Sequence, residues 1–342
     1  MNVEPGTVEA LRRVAPFLLF AVAPLVVACA MFAVAIVEGP LAWDFHNELY
    51  PQAEALVAGE NPYPEALWPP YAALLAAPFT ALEPDAADIV FAAVGVACFL
   101  AALAVVGVRD WRVYGVALLW PSVIGEIRLS HLTPVLCLLV ALAWRHRSSA
   151  SRGGTALGVA VGLKFFLWPL VLWLAATRRY AAAAVASAVA VTSLLLVVPF
   201  APLDDYLRGV ARTGREFDDH AYSLFALLIR LGVADVVARI AAVAVGGGLL
   251  VLTWRRRSLA LATAAALVLS PIVWLDFFAL AAIPLAIVRP RLSPVWFLPL
   301  ATWGLPSSGI ATDAVLGVGR VLLVFALVSF VAVRSEPPTA NP

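Results

Sequence analysis

The sequence predicts an all-α polytopic membrane protein. The expected bundle has about 12 membrane segments, several short or re-entrant, with an external loop and surface helix after the first helix. Three observations predict it. Of 342 residues, 63% are hydrophobic and 13% charged, and mean hydropathy is +0.94. A soluble core cannot hide that much apolar surface. Apolar runs alternate with arginine clusters, and most acidic residues fall between the other ends of those runs.

The first run, Val14–Val37, is too long for a signal-peptide core, and Glu38-Gly39-Pro40 is a poor cleavage site. It is expected to stay as an anchor. The arginine clusters are Arg12-Arg13; Arg109 and Arg112; Arg145, Arg147 and Arg152; Arg178-Arg179; Arg255-Arg256-Arg257; Arg289 and Arg291; and Arg334. The positive-inside rule puts them all in the cytoplasm. That side then holds 15 of 23 basic residues but only Glu4, Glu9, Asp110 and Glu336 of 22 acidic ones. The expected location is the cytoplasmic membrane, with a multi-pass chain and a site facing outward.

Between clusters, Asp88–Val108 returns across the membrane. Trp111–Gly125 and Leu132–Trp144 make a hairpin with its apex at Glu126–His131. Gly154–Leu163 and Phe165–Ala176 make a second, apex Lys164. Tyr180–Phe200 and Val233–Trp254 go out and back. Leu259–Trp274 and Phe277–Val288 make a third hairpin, apex Leu275-Asp276. Leu292–Leu305 and Ala314–Val333 close the series. Several runs fall well short of the roughly 20 residues a crossing needs. Broken backbone at membrane depth is tolerated only where protein or a wet cavity surrounds it. Three polar apexes beneath an outward cavity are therefore expected.

A single domain over 1–334 is expected, with external loops 38–87 and 201–232 and a disordered tail over 335–342. Tyr71–Leu82 reads as an amphipathic run on the membrane surface. Net charge is +1, so nucleic acid is not a partner. Cys29, Cys98 and Cys137 lie in apolar runs without CxxC spacing, and the four histidines are scattered. Neither a disulfide framework, a metal site nor a cofactor is expected. No phosphate loop, GxSxG, HExxH or dinucleotide fingerprint occurs.

Asp44 is the candidate base. It follows the first helix between Trp43 and Phe45, where a carboxylate is ionised, partly shielded and within reach of a hydroxyl. The plainer reading is a helix N-cap. Glu54, Glu60 and Glu65 read as solvated. Lys164, the only lysine, interrupts an apolar run with no acid nearby in sequence. Intramembrane charge marks a functional site by default, and an ammonium suits a lipid phosphate; a snorkelling or structurally paired lysine is the alternative. Arg128 and Arg320 are further phosphate candidates. Glu126 and Arg128 either pair with each other or meet substrate. The remaining substrate candidates are His46, Tyr63, Trp68, Tyr71, His131, His220, Tyr222, Trp274 and Asp276.

Taken in order, Asp44, then Ala55–Tyr63 (ALVAGENPY), then Trp68-Pro69-Pro70-Tyr71 resemble the "Asp … Ala-Leu-x-x-Gly-x-x-Pro-Tyr … Tyr-Pro-Pro" pattern of GT-C glycosyltransferases, glycosyltransferase family 87 in particular. Gly158–Lys164 with Pro169 and Arg178-Arg179 resembles the family's Gly-rich helix, lysine and arginine pair. Tyr222-Ser223-Leu224 with Arg230-Leu231 resembles its Asn-Gln-Ser-Leu helix, and Ser270–Trp274 its Ser-Pro-x-x-Trp turn. Ser130-His131 stands where the family usually has Gly-Gln, and Asp276 where it often has His. The resemblance implies a GT-C bundle and an inverting, metal-independent transfer from a polyprenyl-phosphate sugar, most often mannose. The acceptor is a glycolipid or polysaccharide, and membrane lipids are partners. In that scheme Asp44 takes the acceptor proton, and Lys164 with nearby arginine holds the phosphate. The competing classes are a lipid-sugar transporter or flippase, for which repeated halves are expected, and a non-catalytic subunit of an envelope complex.

Overall fold

The computed structural model describes residues 14–38, 41–63, 68–196, 198–199, 203–216, 221–305 and 315–336. His220, Glu65 and the tail beyond 336 lie outside them. Among the described residues every regular element is helical.

Four helices have the length and apolarity to cross a membrane: α1 (Val14–Val37), α4 (Pro84–Val105), α12 (Asp235–Arg256) and α15 (Val315–Ser335). Five shorter apolar helices stand among them: α6 (Thr133–Arg145), α8 (Phe165–Ala176), α9 (Tyr180–Leu195), α13 (Leu259–Leu269) and α14 (Leu275–Val288). The expected count of about 12 segments, several of them short, is not confirmed by these apolar helices of the described residues. The remaining helices named here are α2 (Tyr50–Val57), α3 (Pro70–Ala76), α5 (Trp111–Leu118), α7 (Ala150–Leu163), α10 (Leu203–Glu216) and α11 (Leu224–Arg230).

Burial explains why two of these helices can be short. On α13, Leu259, Ala260, Ala262, Ala265 and Ala266 are buried. On α14 the run Leu275–Leu285 is buried throughout. These two lie in the interior. On α12, by contrast, Val236, Val237, Ile240 and Val243 are exposed, as lipid-facing residues are. An interior helix need not reach both membrane faces, because protein meets its ends.

Small residues set a close helix–helix contact. Gly154, Gly158 and Gly162 repeat at i, i+4 on α7 and face α9. A Cβ on Gly158 would sit 2.6 Å from Val189 Cβ and 2.7 Å from the Ala186 carbonyl oxygen; one on Gly162 would sit 2.6 Å from the Tyr71 ring. Without these side chains the backbones approach, as small-xxx-small pairs allow. α7 then stops because Lys164 turns extended, φ −150° and ψ 102°. The Ser193 hydroxyl donates to the freed Gly162 carbonyl at 3.0 Å, satisfying one group that a helix end leaves open.

The arginine-bearing ends are tied together. The Asp110 carboxylate caps α5, takes Arg112 as its ion partner at 2.9 Å, and accepts the Leu292 N–H at 3.0 Å. Arg289 donates to Ser335, and Glu336 accepts the Leu259 N–H. The polar apexes gather elsewhere. The amphipathic run predicted at Tyr71–Leu82 divides into α3 and a 3-10 turn, Ala77–Ala81, with Ala72, Ala73 and Ala76 inward and Leu74 and Leu75 outward. Tyr63 meets Tyr206 of α10 edge-on, ring centroids 5.2 Å apart, which joins the two segments expected to be external.

Candidate active site

After α1 the chain reverses at Ala42, which is fully buried with φ 58°, and enters a π-turn over Phe45–Leu49. Phe45 stacks on Phe91 of α4 with centroids 4.0 Å apart. This fixes the face that carries Asp44 and, four residues on, Glu48. Asp44 is 8% exposed and makes no side-chain cap bond, so the N-cap reading is not realised.

The first apex breaks into two short turns, Pro121–Ile124 and Glu126–Leu129, then reverses at Ser130 with φ 52°. Left-handed backbone favours glycine. The serine here holds a strained bend, its hydroxyl donating to the Glu126 carbonyl, and the bend aims His131 inward. His131 Nε2 lies 2.5 Å from Asp44 Oδ2, and its Nδ1 lies 3.4 Å from Asp276 Oδ1. The Thr133 hydroxyl donates to Asp276 Oδ2 at 2.6 Å. Glu126, His131 and Asp276 present ligand-type atoms within 4.8 Å of one another. Three segments far apart in sequence therefore meet in one buried polar centre.

Lys164 lies beside it. Its Nζ sits 3.7 Å from the centroid of the Trp68 ring and 5.4 Å from that of Phe277. The Trp68 indole N–H donates to Glu48 at 3.1 Å. Asp276, Glu48, Asp44 and Glu126 all act electrostatically on the ammonium. No acid stands near Lys164 in sequence; the carboxylates whose charges reach it come from distant segments.

Two apolar cavities end at the centre. One, about 100 Å³, runs past Phe79, Phe91 and Cys98 to Glu126, Ser130 and His131. The other, about 50 Å³, runs past Met31, Ile124 and Trp303 to Asp276.

The predicted site residues divide. Asp44, Trp68, Glu126, His131, Lys164 and Asp276 come together. Glu126 turns towards Asp276 and His131, with neither oxygen hydrogen-bonded, so the pairing with Arg128 is not formed. Arg128 is half-buried on the same turn and has contacts of its own. His46 is drawn away: its Nδ1 pairs with Asp88 at 2.7 Å. Tyr63 is structural, its hydroxyl between Gln52 and the Trp68 carbonyl. Tyr71 donates to the Val189 carbonyl and seals α7 against α9. Tyr222 is buried and its N–H holds the Val273 carbonyl at 2.7 Å; the charges near its hydroxyl are Arg230 and Arg320. Arg320 is exposed. Trp274 is half-buried beside the third apex. Glu54 and Glu60 are exposed as expected. Two members of the centre escaped sequence reading: Glu48, whose signal is its i+4 spacing from Asp44, and Thr133, two residues after His131.

No curated protein and no solved structure matches the chain. A family profile does: that of glycosyltransferase family 87, over residues 66–284. The matched stretch contains Trp68, Glu126, His131, Lys164, Tyr222, Trp274 and Asp276 and begins after Asp44. It spans well over half of the sequence, and the chain belongs to glycosyltransferase family 87.

Proposed function

We propose that the chain is an inverting glycosyltransferase using a polyprenyl-phosphate sugar, mannose first among candidates, at the outer face of the cytoplasmic membrane. The acceptor is a hydroxyl of a lipid-linked or polysaccharide glycan. The observation that carries this reading is buried Asp44 against His131 Nε2, beside the only lysine, where two apolar cavities end.

Asp44 accepts the proton of the acceptor hydroxyl as that oxygen bonds the anomeric carbon from the face opposite the phosphate. The bond from that carbon to the phosphate oxygen breaks, and the electron pair leaves with the polyprenyl phosphate. His131 holds the Asp44 carboxylate in place. Lys164 stabilises charge developing on the leaving phosphate, with Arg128 as its second contact. Trp68 and Phe277 shield the ammonium from water, which strengthens its attraction for an anion. The apolar cavities suit a substrate whose tail stays in lipid. No step calls for an organic cofactor.

Asp44→Asn keeps shape and removes the base. Transfer by the purified variant in nanodiscs, with a polyprenyl-phosphate sugar as donor, is expected to fall by about 10²–10⁴-fold. Donor binding is expected to persist, since Asp44 acts on the acceptor. Near-normal turnover would exclude Asp44 as the base. Mass spectrometry of envelope glycolipids after gene deletion is expected to show the accumulated acceptor.

A further inference from the structure

We infer that Glu126, His131 and Asp276 form a binding site for one divalent transition-metal ion of the Zn²⁺ or Mn²⁺ class. The family resemblance implies metal-independent transfer, so this is a property of this chain's own residues.

Glu126, His131 and Asp276 are 4%, 8% and 2% exposed. Both Glu126 oxygens, Asp276 Oδ1 and His131 Nδ1 are buried without a hydrogen bond of ordinary geometry, the last two standing 3.4 Å apart as an ion pair. These are the atoms turned towards one another within 4.8 Å. Two ligands on one tetrahedral ion lie about 3.4 Å apart, so small side-chain rotations close the ring. Acidic clusters alone prove little, but buried, unsatisfied lone pairs converging on one point are costly unless something cationic joins them.

The surroundings match those of a metal site. A ligating imidazole donates its other N–H to a carboxylate, and ligating carboxylates are themselves hydrogen-bonded. Here His131 Nε2 faces Asp44 at 2.5 Å while Nδ1 faces the cluster, and Thr133 holds Asp276 Oδ2 at 2.6 Å. Asp276, Glu48, Asp44 and Glu126 act together on the Lys164 ammonium, so the centre is rich in acid groups. A divalent ion would add positive charge to this acid-rich centre. One imidazole and two carboxylates suit Zn²⁺ or Mn²⁺ and leave a position open. His46, Asp85 and Asp88 are the other close group, but His46 is already spent on Asp88 and Asp85 is exposed. That group serves as the control. An ion on Nδ1 would fix the His131 tautomer and direct Nε2–H at Asp44, which makes His131 a positioning residue.

The test needs no turnover. Full-length protein in nanodiscs is stripped with chelator, titrated with Zn²⁺ and separately with Mn²⁺, desalted, and its metal counted by mass spectrometry. One ion per chain is expected. Glu126→Gln and Asp276→Asn should each weaken binding by at least about tenfold, and Thr133→Val, which keeps all three ligands, by about tenfold. Asp85→Asn should leave binding unchanged. Thermal unfolding of each variant shows that it is folded. Absence of stoichiometric metal in the folded parent overturns the inference. So does full binding in the Glu126→Gln/Asp276→Asn double variant, or loss in Asp85→Asn alone. Asp44→Asn that keeps its metal and loses transfer separates this site from the catalytic assignment.

Discussion

Lys164 illustrates how one residue is held and what its removal does. Its ammonium lies on the Trp68 ring within the field of four carboxylates. A desolvated cation–π contact contributes about 2 kcal/mol. Removing one partner of a buried charge group leaves the others uncompensated. Lys164→Met, although more apolar, is therefore expected to lower the thermal midpoint as well as weaken donor binding. Lys164→Arg keeps the charge but presents a planar fork; it should keep the midpoint and slow transfer by about tenfold or more. Thermal unfolding in detergent and donor titration in nanodiscs separate the two effects. A Lys164→Met protein unchanged in both would remove Lys164 from the site. The lysine was legible because a charge inside an apolar run is conspicuous. Its partners were not, because Glu48, Glu126 and Asp276 reach it from three separate segments, and one chain carries no record of that closure.

Among elements, α7 links packing to the site, because the helix that docks on α9 ends at Lys164. Gly158→Ala puts a Cβ 2.6 Å from Val189 Cβ and 2.7 Å from a backbone oxygen that cannot rotate aside. The expected cost is about 1–3 kcal/mol, with Lys164 displaced and transfer reduced. Gly248 on α12 has nothing within 4 Å of its missing Cβ. Gly248→Ala should stabilise by up to about 1 kcal/mol through helix propensity. Opposite signs in paired melting curves test the α7–α9 contact. At the arginine-bearing end, the Arg112 guanidinium beside Asp110, helped by the Leu292 N–H, holds that carboxyl at about 2. A lowered acid contributes stability above its unfolded value, about 4, and loses it as pH falls through about 2. Asp110→Ala should cost about 1 kcal/mol as a lost cap and flatten the acid limb of the unfolding curve between those values. The break at Lys164 was legible from a charge, whereas the run read as Leu259–Trp274 ends already at Leu269, before Ser270-Pro271. The 3-10 turn over Pro294–Thr302 was not legible, since its apolar run looks like any other segment.

For the whole molecule, the charge pattern and the fold agree on two unlike ends. Asp110, Arg289, Leu292, Ser335, Glu336 and Leu259 are joined by hydrogen bonds at the arginine-bearing end. Asp44, Glu126, Lys164 and Asp276 meet apart from it. The apexes could be placed from sequence because polar residues interrupt apolar runs. The number of crossings could not, because a short apolar helix reads alike whether it spans lipid or is wrapped by protein; α13 is wrapped. The positive-inside rule assigns the arginine-bearing end to the cytoplasm, which puts Glu60 outside and Arg256 inside. Both positions are exposed. Replacing Cys29, Cys98 and Cys137 with alanine gives a background without reactive thiols; of the three only Cys137 is buried, and alanine is small enough to keep its packing near native. Glu60→Cys and Arg256→Cys are then introduced singly. An impermeant thiol reagent applied to intact cells stripped of any outer barrier should label position 60 at once and position 256 only after lysis. Labelling of both from one side would break the two-ended topology. Labelling of 256 alone from outside would invert it and place Asp44 and Lys164 on the cytoplasmic side, where an outward-facing lipid-linked donor does not reach them.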